Sequence, residues 1–144
     1  MVHIEWQFVA NRVCRKGTID EIAQFYKNVL ECSVTRIEEK TACAVCVGPG
    51  VHFIFAEGED LKNDAIQQMQ GVHACIYISN YKKTYDTLKA KDMIWTNPRF
   101  THLDSCDTWE DAYASRTFRF KDIVDSNTGE KILELEHETR PMMH

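Results

Sequence analysis

The sequence predicts an α+β fold built from two copies of a strand-helix-strand-strand-strand module. The first observation is that the order of elements runs twice, each time opening with a histidine at the head of an apolar strand, at His3 and again at His73. The second is the alternation of side chains with period 2 in the strands and 3.6 in the helices. Because one such module cannot bury both faces of its sheet, we expect the two to share a curved mixed sheet, with helices outside and a central cleft inside.

The first module covers residues 1–58 and contains the clearest helix. Alternating polar and apolar residues predict a strand over residues 3–9, and a loop follows to Gly17. Thr18-Ile-Asp-Glu21 matches a capping box, and the apolar residues after it recur at helical spacing up to residue 30. Three more strands are predicted over residues 34–38, 41–47 and 51–57.

A polar connector over residues 59–71 leads to the second module, residues 72–137, and to a tail over residues 138–144. The connector carries apolar residues at helical offsets and ends at Gly71, where a glycine after a helix belongs. The predicted elements of the second module are a strand over residues 73–79, a helix over 80–91, a short strand over 93–95, and strands over 116–120 and 131–136. Residues 98–114 are irregular apart from a helical turn near Trp109.

Composition limits the classes of function. With 144 residues, 44% of them hydrophobic and 27% charged, the chain has the size and composition of one globular domain. A net charge of -5 opposes binding to nucleic acid or to an anionic membrane surface. We find no signal peptide and no run of about 18 apolar residues, so we expect a cytoplasmic protein with free thiols, in which Cys43-Ala-Val-Cys46 is structural.

Four stretches of the sequence resemble the vicinal oxygen chelate (VOC) superfamily, which includes glyoxalase I, extradiol dioxygenases, methylmalonyl-CoA epimerase, and fosfomycin and bleomycin resistance proteins. The stretches are residues 3–8, the helix over 21–31 with its Phe25-Tyr26 pair, the histidine-led strand over 71–78, and the closing strand over 125–135. Together they span nearly the whole chain. The resemblance implies the same two-module fold and a small-molecule site in the cleft.

The resemblance also implies a site for one divalent metal ion. In the superfamily the ligands are the leading histidine of each module and a glutamate on the last strand, which correspond here to His3, His73 and Glu134, with Glu136 as the alternative to Glu134. Strand alternation agrees, because it places Glu134 and Glu136 on one face of their strand. Two imidazoles and one carboxylate leave coordination positions open and suit Fe, Mn, Zn or Ni.

Further candidate residues are expected around the same cleft. Glu5 and Glu136 are candidate catalytic bases where they are not ligands. The candidate substrate-binding residues are Gln7, Phe55, Tyr77, Trp95 and Arg116. Phe55 occupies the position of a fourth metal ligand in glyoxalase I. Arg116 and Arg119 are expected on opposite faces of one strand, so at most one of them would hold a substrate carboxylate or enolate.

Three functions remain open at this point. The first is a metal-dependent small-molecule enzyme, in which the ion binds two neighbouring substrate oxygens and stabilises the negative charge that develops during the reaction. The second is a non-catalytic protein that binds a small molecule or drug in the same cleft, and the third is a structural homodimer partner with a degenerate site. The resemblance implies a homodimer, with modules that pair within one chain or between two.

Overall fold

The computed structural model describes residues 8–37, 39, 41–58 and 73–142. His3, Glu5, Gln7 and the predicted connector lie outside these residues. The described elements are, in chain order, β1 (Phe8–Cys14), α1 (Ile19–Val29), β2 (Val34–Ile37), β3 (Ala42–Gly48), β4 (Val51–Glu57), β5 (His73–Ile78), α2 (Tyr81–Ala90), α3 (Trp109–Ser115), β6 (Phe118–Val124) and β7 (Lys131–Pro141). The predicted α+β class is confirmed.

Helix α1 forms where the sequence predicted it, because its apolar residues recur on one side. The buried residues of this side are Ile19, Ile22, Ala23, Phe25, Tyr26 and Val29. The predicted capping box does not form: the Thr18 hydroxyl donates to the carbonyl of Arg15 (2.6 Å) and makes no hydrogen bond to the helix end. Asp20 and Glu21 still favour the helix, since negative charge in the first turn opposes the positive end of its dipole.

The first sheet has the strand order β1-β4-β3-β2. Strand β1 runs parallel to β4, with Phe8 opposite Val51 and Cys14 opposite Glu57, while β3 is antiparallel to both of its neighbours. The prediction of a loop from residue 9 to Gly17 is therefore wrong. Residues 8–14 pair along the whole length of β4, and this ladder holds them in a strand although their polar and apolar residues do not alternate.

Tyr26 joins α1 to one face of the first sheet. Its ring centroid lies 5.4 Å from that of Phe55 and 6.5 Å from that of Phe53, both on β4. Cys43 and Val45 of β3 stand opposite these two phenylalanines and are fully buried. Burial of apolar side chains of this size contributes roughly 1.5–3 kcal/mol each, so this cluster is a main source of stability in this part of the chain.

The second sheet has the order β5-β7-β6. Strand β5 runs parallel to β7, from His73 opposite Glu136 to Ile78 opposite Pro141. The predicted strand over residues 93–95 is wrong, because residues 93–97 are described and form no strand. The Trp95 amide makes a backbone hydrogen bond to Arg119 on β6 (2.8 Å), but the described residues around it do not continue this contact into a ladder.

Aromatic residues of α2 and α3 cover one face of the second sheet. The ring centroid of Phe118 on β6 lies 4.9 Å from that of Tyr81 and 5.5 Å from that of Tyr85. Helix α3, predicted as a turn, begins where the Thr108 hydroxyl accepts a hydrogen bond from the Asp111 amide (3.2 Å).

The same face of the second sheet contains a buried histidine. His137 is fully buried and stacks on Phe120, with ring centroids 4.3 Å apart. Its Nδ1 lies 2.7 Å from the carbonyl oxygen of Leu135. His137 is therefore part of the packed core.

The chain divides into two compact units. The first contains the described residues up to Gly58 and a returning segment, Ile123–Leu133. The second contains β5, α2, α3, the first part of β6, and the chain from Glu134 onward. Strands β6 and β7 thus each belong partly to one unit and partly to the other. None of the described helices is long and apolar enough to cross a membrane.

Candidate functional site

The face of the second sheet that points away from α2 and α3 is polar. The register of β5 and β7 places His73, Cys75 and Tyr77 beside Glu136, Glu138 and Arg140. Neighbouring residues in a parallel pair share a face, so all six side chains lie on the same side of the sheet. Because β5 is at the edge of this sheet, its side chains are the accessible ones: 53% of Tyr77 and 47% of the His73 side chain are exposed.

Arg119 of β6 is the centre of this face. The residue is only 5% exposed. Its guanidinium donates to Glu136 Oε1 (2.8 Å), to Glu138 Oε2 (2.7 Å) and, from two nitrogens, to Asp104 Oδ2 (2.9 and 3.3 Å). One buried cation therefore compensates three carboxylates, each of which would be costly to bury without a partner.

Glu138 is held by a second guanidinium as well. Arg140 donates to Glu138 Oε1 from Nε (2.8 Å), and its terminal nitrogen lies 2.6 Å from the same oxygen. Burial acts to raise the pKa of Glu138, but the hydrogen bond from Arg140 and the charge of Arg119 outweigh it, and the pKa lies below its ordinary value. Glu138 is therefore ionised at neutral pH, and its Oε2 lies 3.8 Å from Nε2 of His73.

The two glutamates proposed from the sequence differ in their surroundings. Glu136 accepts hydrogen bonds from Arg119 and from the Asn97 side-chain amide (3.1 and 3.4 Å). Glu134 is half-buried and lies one alternation earlier on the same face of β7. A guanidinium repels a metal cation bound to the same oxygen, so the hydrogen bond from Arg119 disfavours Glu136 as a metal ligand.

The other sequence candidates lie in different surroundings. Phe55 is fully buried against Tyr26, on the helix-covered face of the first sheet, and belongs to the core. Trp95 is half-buried, with Lys121 Nζ 5.1 Å from its ring centroid. Arg116 is exposed at the end of α3 in a left-handed conformation (φ 54°). The prediction that Arg116 lies on a strand is wrong, because β6 begins only at Phe118.

The predicted metal ligands can be followed only in part. Within residues 8–37, 39, 41–58 and 73–142, no three His, Cys, Asp or Glu side chains are placed to hold an ion together. His3, the third ligand of the predicted set, is outside these ranges, so the complete set stays a prediction. The imidazole of His73 and the carboxylate of Glu134 are donors that fit Fe, Mn, Zn or Ni.

The cysteines behave as structural residues. Each of the six is a free thiol. Cys43 is fully buried while Cys46 is half-buried, as expected for a pair on opposite faces of β3. Burial, together with the negative charge of Glu138, raises the pKa of Cys75. A thiol with a raised pKa is a poor nucleophile at neutral pH, so Cys75 does not suit nucleophilic catalysis.

Arg119 and its carboxylates are the feature that sequence reasoning missed, since Arg119 was considered only as an alternative to Arg116. The available signal was the spacing of Glu134, Glu136 and Glu138 on one strand face. Three acids at period 2 on a half-buried strand require a nearby cation. The arginine between two buried phenylalanines of β6 was the candidate for it.

Comparison with known proteins gives the family resemblance through structure alone. No protein-family model and no curated protein matches the sequence. A possible glyoxalase from Bacillus cereus is 10% identical, with 92% of this chain and 95% of that chain covered and a TM-score of 0.55. A glyoxalase family protein from Bacillus anthracis is 11% identical, covers 93% and 91%, and has a TM-score of 0.57.

A third solved structure names the wider group. The glyoxalase/bleomycin resistance protein/dioxygenase from Alicyclobacillus acidocaldarius is 14% identical, with 100% of this chain and 96% of that chain covered and a TM-score of 0.52. At identities this low, the structural likeness establishes a common fold and does not transfer an activity. The strand order, the two units and these structural neighbours together show that the chain has the fold of the vicinal oxygen chelate superfamily.

Proposed function

We propose that the protein is a metal-dependent small-molecule enzyme of the VOC type, with one divalent ion held by His3, His73 and Glu134. The observation that supports this most directly is the position of His73. It is the first residue of β5, its imidazole is half-exposed, and it shares a polar sheet face with Glu134. Ligands carried on rigid strands keep their geometry better than ligands on loops.

The chemistry of the bound ion would be that of a Lewis acid. It would polarise two neighbouring oxygens of the substrate and stabilise the negative charge that develops on them. Glu138 would help to hold the His73 imidazole in place, because its ionised carboxylate lies beside that imidazole and is itself fixed by two arginines. Tyr77 would provide an exposed aromatic surface for the substrate on the same face.

Of the remaining candidates, Glu5 and Gln7 are proposed for the same site through their predicted strand face. Glu136 is a weaker candidate for the catalytic base. Its carboxylate already accepts hydrogen bonds from Arg119 and Asn97, so its oxygens are occupied by partners other than a substrate.

Metal content tests the proposal. Protein purified after growth with iron or manganese should contain about one metal ion per chain by elemental analysis, as a single site requires. His73→Ala should lose the ion. His102→Ala is the matched control, because His102 is an exposed histidine on a loop and should leave the metal content unchanged. Wild-type protein without metal under all of these conditions would remove the enzyme proposal.

A non-catalytic small-molecule-binding protein is the second candidate. It is favoured by the arginines, since Arg119 and Arg140 already neutralise Glu136 and Glu138 and leave the described face less attractive to a cation. In this case wild type and His73→Ala would be equally free of metal. Aromatic ligands would still quench tryptophan fluorescence, and Tyr77→Ala would weaken that binding.

We also propose that the protein acts as a homodimer, as the resemblance implies. Sedimentation equilibrium should then give twice the chain mass of 16.7 kDa. A single species at the chain mass, over the concentrations used in the metal assays, would contradict this.

A further inference from the structure

The segment that contributes Asp104 to the Arg119 cluster is a closed loop. We call residues 96–106 the covering loop. Its two ends are joined, because the Thr96 hydroxyl oxygen accepts a hydrogen bond from the Cys106 amide (3.0 Å). Cys106 is fully buried, and its carbonyl accepts from the Tyr85 hydroxyl (3.0 Å). A loop with fixed, adjoining ends is an Ω-loop, a type that often carries function.

The body of the covering loop is held together by its own hydrogen bonds. The Asn97 carbonyl accepts from the Phe100 amide (2.9 Å), and the Phe100 carbonyl accepts from the amides of Leu103 (2.8 Å) and Asp104 (3.0 Å). The Asn97 side-chain oxygen accepts from the Arg99 amide (3.0 Å). These bonds do not involve the sheet, so the body can move as one piece without losing them.

The covering loop touches the polar face of the second sheet at two places. Next to its first end, the Asn97 amide donates to Glu136 (3.1 Å). Two residues before its other end, Asp104 pairs with Arg119 (2.9 Å), and from the middle of the loop the Phe100 ring centroid lies 5.3 Å from the centre of the guanidinium. Between these contacts the tip is in solvent, since Leu103 is 70% exposed. The loop therefore rests on Arg119 through Asp104 and Phe100.

Asp104 accepts from two nitrogens of Arg119 through its Oδ2, so this pair is the main contact that holds the loop to the sheet. Asp104 Oδ1 is buried and has no hydrogen-bond partner among the residues that the structure describes, so these residues compensate the burial of only half of this carboxylate. If the loop lifts, Asp104 regains water while Arg119 keeps Glu136 and Glu138. The free energy that resists opening is thus smaller than the number of contacts suggests.

We propose that the ion pair between Arg119 and Asp104 is a latch, which holds the covering loop over the polar face. The latch must open before a ligand reaches the part of the face that the loop covers. The identity of the ligand that reaches this part of the face rests on the function proposed above. The existence of the latch does not rest on that function.

Cleavage by trypsin after Arg99 reports on loop opening. Arg99 is exposed, but a protease needs several residues around it in an extended conformation, which the internal hydrogen bonds of the loop prevent until it opens. In Asp104→Asn we expect cleavage at Arg99, identified by mass spectrometry, to be about tenfold faster than in wild type, as a loss of 1.4 kcal/mol would give. Because the same amount, about 1.4 kcal/mol, is lost from the free energy of unfolding, the midpoint of thermal unfolding, measured in parallel, should fall by only a few degrees.

Asp86→Asn is the matched control. It removes the carboxylate of an exposed ion pair with Lys82 on α2, away from the covering loop. Its cleavage rate at Arg99 should equal that of wild type. Equal rates for wild type, Asp104→Asn and Asp86→Asn would overturn the latch.

The rate of Mn²⁺ binding tests whether the loop controls access. With Mn²⁺ alone as the probe, we expect stopped-flow association and dissociation to accelerate together in Asp104→Asn, by about the factor seen in cleavage, with little change in affinity. A merely structural role would not change both rates in this way. Faster cleavage with unchanged Mn²⁺ rates would overturn control of access. Failure of every variant, wild type included, to bind Mn²⁺ would contradict the proposed function, while the cleavage result would still decide the latch.

Discussion

Replacement of Arg119 by methionine should be among the most destabilising substitutions in the second unit. The change keeps a long side chain but removes every hydrogen bond to Glu136, Glu138 and Asp104. These carboxylates are between 9% and 16% exposed and would be left with less compensation. Loss of one partner from a buried ion pair costs about 3–5 kcal/mol, and the remaining bond from Arg140 to Glu138 places the expected value near the lower end of that range.

Urea unfolding followed by tryptophan fluorescence and circular dichroism measures this cost. Arg36→Met is the control, because Arg36 pairs with Asp20 at the surface, where the Asp20 side chain is 83% exposed, and its loss should cost under about 1 kcal/mol. Addition of Asp104→Asn to Arg119→Met should recover part of the loss, since one fewer buried charge then lacks a partner. A cost for Arg119→Met no larger than that of Arg36→Met would refute the electrostatic account of the cluster.

Three further predictions concern the packing, an ionisable thiol and a helix end. Phe55→Ala should lower the free energy of unfolding by about 3–5 kcal/mol in urea titrations, because it empties the space beside Tyr26; a cost below that of a surface change would contradict its place in the core. Burial raises the pKa of Cys43 from 9.0 to about 11, so the unfolded chain loses this proton first, and stability present below pH 9 should fall as pH rises to 11. The slope of unfolding free energy against pH in that window should be smaller in Cys43→Ala, and an unchanged slope would be evidence against the raised pKa. Thr108→Ala should cost about 1 kcal/mol through loss of the bond from the Asp111 amide, whereas Thr108→Ser should be nearly neutral by thermal denaturation.

Periodicity predicted most of the elements, because the packing that stabilises them follows the same spacing. Helix α1 is an example: its buried residues are those that recur every three or four positions, and the helix formed although its capping box did not. The alternation on β7 was equally informative, since Leu133 and Leu135 are buried while Glu134 and Glu136 lie on the other face. Patterns that reflect burial were therefore sufficient for these elements.

Features that depend on a distant partner were not predictable in the same way. Strand β1 extends to Cys14 because β4 pairs with it, and β4 lies about forty residues further along the chain. The left-handed backbone of Arg116 ends α3 and moves the start of β6, which no alternation in that stretch indicated. Arg119 was ambiguous for the same reason, since its role depends on acids from β7 and from the covering loop. Local sequence gives no direct information about such pairs.

The division of β6 and β7 between the units has a consequence for synthesis on the ribosome. The first unit includes Ile123–Leu133, a segment translated only after most of the second unit. Domains usually fold as they emerge, the N-terminal one first. Here the first unit is completed only when residues 123–133 have been synthesised, so a nascent chain halted before residue 123 should remain accessible to proteases and chaperones. For the same reason, we do not expect the two halves to fold as separate fragments when the chain is cut between residues 58 and 73.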